Sequence, residues 1–408
     1  MGAWKSLFAI ILGILIYQTK IHQKLVVLLK STDAYNKFLE HLSVSTSGND
    51  LNEDRNIFHL AKINLTRAEE NEEGFQEVSK KLYEAFSTVG FAYVADLEGF
   101  DPDELFYWTK WFFDLPKKHK LEITRNTFVE GNPNSYRGFF PSIPGGHSYK
   151  EAFEIGIFNI EPSISREFPK QTDLVVNQTK KNGQLFTRNI LQERNSWPLT
   201  ENEDQDTKFR AFMQNNYKLY KNACMLIMQM LATGLGFERT KFDNLFSPKQ
   251  LSTQRLIHYP SRLGSPESIP PEAWDGDKAI VTGEHFDTGF LTILATFENA
   301  GLQIKPHGYP EWIDVPAMKD HLVINIGALL AEMVENRLIA TNHRVIDIGV
   351  DRFSVPFFLE PHYDGDLSNN LYGSKLKSVG KFNKYGTYMA NRTRMFAEYS
   401  KMDWGIMD

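Results

Sequence analysis

The sequence predicts an α+β chain, mainly β, in which helices pack on a core of short antiparallel strands. Three observations carry that expectation. Helical periodicity dominates before Gly236 and gives way to alternation after it. Nine strand-like runs then follow: Arg255 to Tyr259, Ala279 to His285, Leu291 to Phe297, Leu302 to Ile304, Trp312 to Val315, Leu322 to Ile326, Arg337 to His343, Val345 to Asp347 and Arg352 to Leu359. Gly, Pro, Asn and Asp punctuate these runs. A set of eight or nine antiparallel strands can protect its edges as a jelly roll, a double-stranded β-helix, and that is the expected core.

Residues 1–56 read as an extension outside the fold, with an apolar run from Leu7 to Tyr17 and a polar linker from Ser43 to Asn56. The apolar run is short of the ~20 residues that span a bilayer and matches the length of a signal-peptide core. Gly2 with Ser6 fits a loose myristoylation pattern. Two readings stand for this segment, a signal or membrane anchor and a plain extension. Residues 57–236 read as a region of helices and early strands. Phe75, Val78, Leu82 and Phe86 place a helix over Glu72 to Thr88, which Gly90 ends. Phe91 to Leu97 reads as a strand. Asp101 and Pro102 open a helix to about Phe113 as N-cap and first-turn residue. Pro162 to Asp206 reads as irregular, and Lys208 to Leu231 as the longest helix. Residues 237–365 hold the strand-rich core, and residues 366–408 form a tail with a helix from about Thr387 to Tyr399.

Composition narrows the function. The chain has 408 residues, 42% hydrophobic and 24% charged, with a formal net charge of −6. That is an ordinary globular balance, and bulk charge argues against nucleic acid as a partner. The single cysteine, Cys224, sits in an apolar stretch and reads as a small buried hydrophobe. No intramolecular disulfide can form, which fits a reducing compartment, with a cytoplasmic catalytic domain favoured. No phosphate-cradling glycine loop opens a helix, so nucleotide chemistry is disfavoured. No protein partner is evident, and oligomeric state is not readable.

The chemistry-bearing residues lie in the β region. His285 and Asp287 are two apart, so on extended backbone they face one side. His343 follows in a second strand. Two imidazoles and one carboxylate on a rigid β framework make a facial triad, which leaves metal sites open to co-substrate and O₂. Arg352 and Ser354 alternate in the same way, offering a guanidinium fork and a hydroxyl to a carboxylate. An isolated H-x-D, or an isolated R-x-S with Arg352 paired to Asp351, would read as surface structure. The ordered succession of all five argues for a site. His258 and His321 read as structural, Arg344 as pointing away from the metal, and Phe286 as turned into packing. Phe139, Phe140, Phe153, Phe290 and Phe357 are pocket candidates, each more simply core.

The order H-x-D, distal His, R-x-S resembles the isopenicillin N synthase-like branch of the Fe(II)/2-oxoglutarate-dependent dioxygenases. Further segments carry the resemblance: Gly90-Phe91-Ala92-Tyr93-Val94, Phe112-Phe113-Asp114-Leu115-Pro116, Arg137-Gly138-Phe139, Lys150-Glu151-Ala152-Phe153, Tyr259-Pro260 and Asn325-Ile326-Gly327. The likeness runs from about Ile57 to Pro361. It implies a distorted jelly roll with packed helices. It implies Fe(II) on His285, Asp287 and His343, and 2-oxoglutarate held by Arg352 and Ser354 with Tyr259 as a further donor. It implies a small-molecule substrate, O₂ as oxidant, release of succinate and CO₂, and stimulation by ascorbate. Some members keep R-x-S yet use no 2-oxoglutarate, and a non-catalytic sensor would also keep the fold. Two segments depart from the pattern. Ala328 stands where many relatives carry an acid, and Met333 to Arg337 replaces an Asn-Gly turn. Substrate-binding loops are expected in Asn126 to Ser148, Pro162 to Asp206 and the tail after Pro361.

Overall fold

In the computed structural model the chain divides into two units, residues 1–58 and residues 59–408. The structure describes residues 59–143, 148–157, 190–247, 249–402 and 404. The apolar run Leu7 to Tyr17, the linker, the myristoylation pattern and most of Pro162 to Asp206 lie outside them. Among the described residues no helix is long and apolar enough to cross a membrane.

Strand β1 (Lys62–Asn64) leads into α1 (Leu65–Glu70) and α2 (Glu72–Thr88). The Asn71 side chain caps α2 by accepting from the Gly74 N–H, and Glu72 and Glu73 favour its positive end. Phe75, Val78, Leu82 and Phe86 form its buried stripe. Gly90 then takes φ +74, where a Cβ would strike the Ile339 carbonyl, so only glycine fits the turn into β2 (Phe91–Ala95). Helix α3 (Pro102–Asp114) starts as expected, with Asp101 accepting from Glu104 N–H and Pro102 in its first turn. Then come α4 (Lys117–Glu122), β3 (Gly138–Phe140), β4 (Glu151–Gly156) and α5 (Glu203–Gly234). Helix α5 begins five residues before the expected start, because Asn202 caps it and Glu203, Asp204 and Asp206 enrich its first turn.

After α6 (Asp243–Phe246) come β5 (Thr253–Tyr259), β6 (Trp274–Asp275), β7 (Lys278–His285), β8 (Leu291–Ala295), β9 (Leu302–Lys305), β10 (Ile313–Asp314) and β11 (Leu322–Ile326). Helix α7 (Ala328–Met333), β12 (Asn342–Ile346), β13 (Arg352–Leu359) and α8 (Tyr385–Thr393) complete the described elements. Two expected runs are corrected here. Arg337 to His343 and Val345 to Asp347 are one strand, β12, because Asn342 to Val345 pair continuously with β9. The apolar residues just before that strand pack on helices instead of pairing, and Leu338 is fully buried in the core. The tail helix ends at Thr393, with a short 3₁₀ turn at 397–399.

The strands form two sheets. One has eight strands in the order β1-β2-β11-β8-β13-β5-β4-β3, and the other five, β10-β9-β12-β7-β6. Only β1 and β2 pair in parallel among these strands. The early strands therefore join the same sheet as β13, which carries Arg352. The main apolar core lies between this sheet and helices α2, α3 and α5, where Phe112 stacks on Phe153 and Phe209.

One buried polar cluster ties the tail to this sheet. Glu154 of β4 has no exposed surface and pairs with Arg125 and Arg255. The Tyr399 hydroxyl stands 2.8 Å from both Glu154 oxygens. Burial alone would raise the Glu154 pKa, but Arg255, Arg125, Arg137 and the Tyr399 hydroxyl bring it down to about 2. A depressed carboxylate stabilises the fold fully above the unfolded value of 4.5 and loses that contribution as pH falls toward 2. Glu154→Gln, which leaves the guanidinium groups unpaired, should therefore cost about 3–5 kcal/mol at pH 7. Denaturant unfolding as a function of pH should show the gap to wild type narrowing below pH 4.5, and a gap independent of pH would refute the assignment.

Candidate functional site

The site is built on one cross-strand register. His343 of β12 lies directly opposite His285, the last residue of β7. That pairing brings the two imidazole centroids to 4.2 Å. Each ring is oriented by the same local device. His285 Nδ1 lies 2.8 Å from the Gly283 carbonyl, and His343 Nδ1 lies 3.1 Å from the Thr341 carbonyl. A carbonyl can only accept, so each Nδ1 carries the proton and each Nε2 keeps a free lone pair. Phe91 packs edge-on against His343 at 5.5 Å and limits its tilt.

Asp287 follows β7 directly. Its backbone carbonyl accepts from Ala328 N–H at 2.7 Å. Its Oδ2 accepts from Thr292 Oγ1 at 2.5 Å and Asn325 Nδ2 at 2.8 Å. The other oxygen, Oδ1, stands 3.8 Å from His343 Nε2 and 4.0 Å from His285 Nε2. These separations are too long for hydrogen bonds and suit a shared ion held by bonds of about 2.1 Å. The three residues place one ligand atom each within 4.8 Å of one another, a cluster that could hold a metal. Thus Ala328, lacking an acid, still steadies Asp287 through its backbone.

The protonation states agree. Burial first, and then the neighbouring His343, lower the His285 pKa to about 4, so its imidazole is neutral at pH 7 with no proton to displace. Burial alone would raise Asp287, but His343, His285, Asn325 and Thr292 hold it below the usual carboxylate range. Two imidazole nitrogens with one carboxylate are the donor set that suits Fe(II).

Arg352 and Tyr259 are opposed across β13 and β5, and Ser354 follows on the same strand face. Arg352 is 2% exposed and Ser354 1%. Arg352 Nε donates to the Ala300 carbonyl at 2.8 Å, and its guanidinium lies 5.0 Å from the Tyr259 ring centroid. Its Nη1 is buried with no hydrogen-bond partner. Asp351 does not pair with it, bonding instead to His258 and to Ser261 N–H. Burial lowers the Arg352 pKa, a direction Tyr259 opposes. Tyr259 itself would be raised by burial, but Lys150, Arg352 and the hydroxyls of Ser354 and Thr282 hold it below the usual phenol value. Lys150 acts on His285 as well, so its charge bears on both groups of residues.

A cavity of about 410 Å³ reaches His285 and Asp287. Thr282, Lys150, Glu154, Arg255, Phe290 and Glu360 line it, with Tyr385, Tyr388 and Met389 from the tail. Arg352, Ser354, Tyr259 and His343 are not among its lining residues. Two expected loop regions contribute, through Tyr136 and Ser148 and through the tail after Pro361. Of the Phe candidates only Phe290 lines the cavity, while Phe139, Phe140, Phe153 and Phe357 are core. Phe286 corrects its expectation: it is 44% exposed at the cavity, because β7 ends at His285 and alternation ends with it. His258 bridges Glu151 and Asp351 and stacks on Phe353, and Arg344 turns to Gln303 and Asp275, both as expected. Thr292 and Glu360 escaped the reading of the sequence. No local pattern marks them, since their partners are distant in the chain.

Two family models match. The 2OG-Fe(II) oxygenase superfamily model covers residues 252–361, and the model of the N-terminal region of non-haem dioxygenases in morphine synthesis covers residues 60–176. The chain belongs to the 2OG-Fe(II) oxygenase superfamily, oxidoreductases that use Fe(II), 2-oxoglutarate and O₂. Clavatol oxidase of Penicillium crustosum is 28% identical over 333 residues, 79% of this chain and 90% of the relative. Isopenicillin N synthase of Streptomyces jumonjinensis is 27% identical, over 78% of this chain and 89% of its own length. Among solved structures, a full-length Neurospora crassa protein in complex with alpha-KG and 5-formyluracil superposes with a TM-score of 0.62 at 25% identity, covering 83% of this chain and 96% of that one.

The bonds to Asp287 Oδ2 are testable. Thr292→Val and Asn325→Leu should each weaken Fe(II) binding by about 10–100-fold. Anaerobic metal titration measures this, and unchanged affinity in both variants would show that Asp287 needs neither neighbour.

Proposed function

We propose that His285, Asp287 and His343 hold Fe(II), and that Arg352, Ser354 and Tyr259 hold the far carboxylate of 2-oxoglutarate. The chain then couples oxidative decarboxylation of 2-oxoglutarate to oxidation of a small organic molecule. A hydroxylation balances as substrate C–H, 2-oxoglutarate and O₂ giving substrate C–OH, succinate and CO₂. Desaturation and ring closure are sister outcomes of the same oxidation. The observation that carries the reading is the free Nε2 of both histidines facing the unshared Oδ1 of Asp287. Bound Fe(II) supplies the redox chemistry and the open coordination sites. The protein's own work is orientation. Thr292 and Asn325 leave one Asp287 oxygen for the metal, and the buried Arg352 keeps a donor for an incoming carboxylate. A distorted jelly roll is the architecture we infer from the two sheets, since both supply the site: His285 and His343 from one, Thr292, Asn325 and Arg352 from the other.

The division into residues 1–56, 57–236, 237–365 and 366–408, and a cytoplasmic catalytic unit with residues 7–17 as signal or anchor, belong to the same proposal. Fractionation of the tagged full chain tests the location.

Full-length protein loaded anaerobically with Fe(II), then given 2-oxoglutarate, ascorbate and air, should release succinate, and Asp287→Ala should release none. Arg352→Ala should raise the KM for 2-oxoglutarate roughly 100-fold, the loss of a charged hydrogen-bonded contact. Oxygen uptake that is indifferent to 2-oxoglutarate would replace this reading with an oxidase that holds its substrate on Arg352.

A further inference from the structure

Outside the residues already placed, the most exceptional group in the cavity is Glu360. It follows β13 and is 7% exposed. Its Oε2 is buried with no hydrogen-bond partner. Its carboxyl lies over Gly289, where a Cβ would come within 2.5 Å of both oxygens, so glycine is what leaves the acid room. The acid thus stands beside the segment that links Asp287 to β8. An unpartnered buried carboxyl oxygen costs about 1–3 kcal/mol, and its retention needs a cause.

The remaining charges on the cavity wall narrow that cause. Lys150 faces Glu398 at 3.8 Å, and Arg255 is paired with Glu154 and reaches the Tyr399 hydroxyl. Asp287 is engaged by Thr292 and Asn325. Each cation on this wall already has a carboxylate, so a substrate carboxylate would have to break an ion pair to bind here. Among the carboxylates on this wall Glu360 is the one with a buried oxygen left unpartnered, and that oxygen can receive a hydrogen-bond donor; the hydroxyls of Ser148 and Thr282 on the same wall are also buried and unpartnered. Phe290, Tyr385, Tyr388 and Met389 give the surrounding wall flat apolar area.

We propose that Glu360 is the specificity-determining residue for substrate, and that the substrate is a neutral ring compound carrying an N–H or O–H group received by its carboxyl. That a substrate enters this cavity rests on the oxygenase reading above. The position of Glu360 beside the Asp287 segment would hold such a ring with one edge toward the metal residues.

The test uses full-length protein with Zn(II) in place of Fe(II), saturated with 2-oxoglutarate, and four probes on one ring: benzamide, benzyl alcohol, toluene and benzoate. Saturation-transfer NMR should show the first two binding at least about tenfold more tightly than the last two, the worth of one buried hydrogen bond. Glu360→Leu should erase that preference. Glu360→Gln, which keeps a donor and an acceptor, should retain it and guards against misfolding of the Leu variant. A preference that persists in Glu360→Leu, a wild-type preference for benzoate, or no binding by any probe would overturn the proposal. Succinate release by Fe(II)-loaded wild type is read separately. Succinate without donor-selective binding removes the role of Glu360 and spares the oxygenase reading, and donor-selective binding without succinate does the reverse.

Discussion

The pairing of His343 with His285 across β12 and β7 is the constraint on which the site depends. An antiparallel register shifted by one residue would turn one imidazole to the opposite face. Because the register is held by the five-stranded sheet, the two histidines need no loop to bring them together. The two Nδ1 contacts to carbonyls two residues earlier fix the ring tautomers with backbone alone. A mobile side chain in that role would lose orientation whenever it changed rotamer.

The second sheet supplies what the first cannot. Asp287 lies past the end of β7, where the ladder no longer positions it. Thr292 on β8 and Asn325 on β11 take one of its oxygens and so decide which oxygen faces the imidazoles. The same sheet carries Arg352, a cation with an unmet donor and, among the described residues, no carboxylate partner. Such a group is costly to keep buried, and the cost is offset when an anionic ligand arrives. On the proposed reading, a metal at the histidines and Asp287 and a dianionic co-substrate at Arg352 complete the site electrostatically.

The Glu154 cluster has a different character. Arg125, Arg255 and Tyr399 satisfy both of its oxygens, and the tail that brings Tyr399 also brings Tyr385, Tyr388 and Met389 to the cavity. The tail is therefore anchored by a buried ion cluster that is itself part of the cavity wall. Removing the anchor would disturb the wall without touching the metal residues.

Much of this was legible in the chain itself. Alternation put Arg352 with Ser354 on a common face, since the period of a strand is set by backbone geometry, whereas Asp287 joins His285 from beyond the end of β7. Apolar periodicity placed α2, and Asp101 with Pro102 the start of α3, by equally local rules. Where local rules gave out, the reading slipped. The apolar stretch before His343 packs on helices, and Phe286 is exposed once the strand ends. Thr292 bonding Asp287, Lys150 influencing both groups of residues, and Glu360 unpartnered over Gly289 depend on contacts between segments far apart in sequence. The order of residues was enough to name the atoms that could bind a metal and a carboxylate. Which of their lone pairs and protons stay free was settled by folding, because hydrogen bonds to distant neighbours consume the rest.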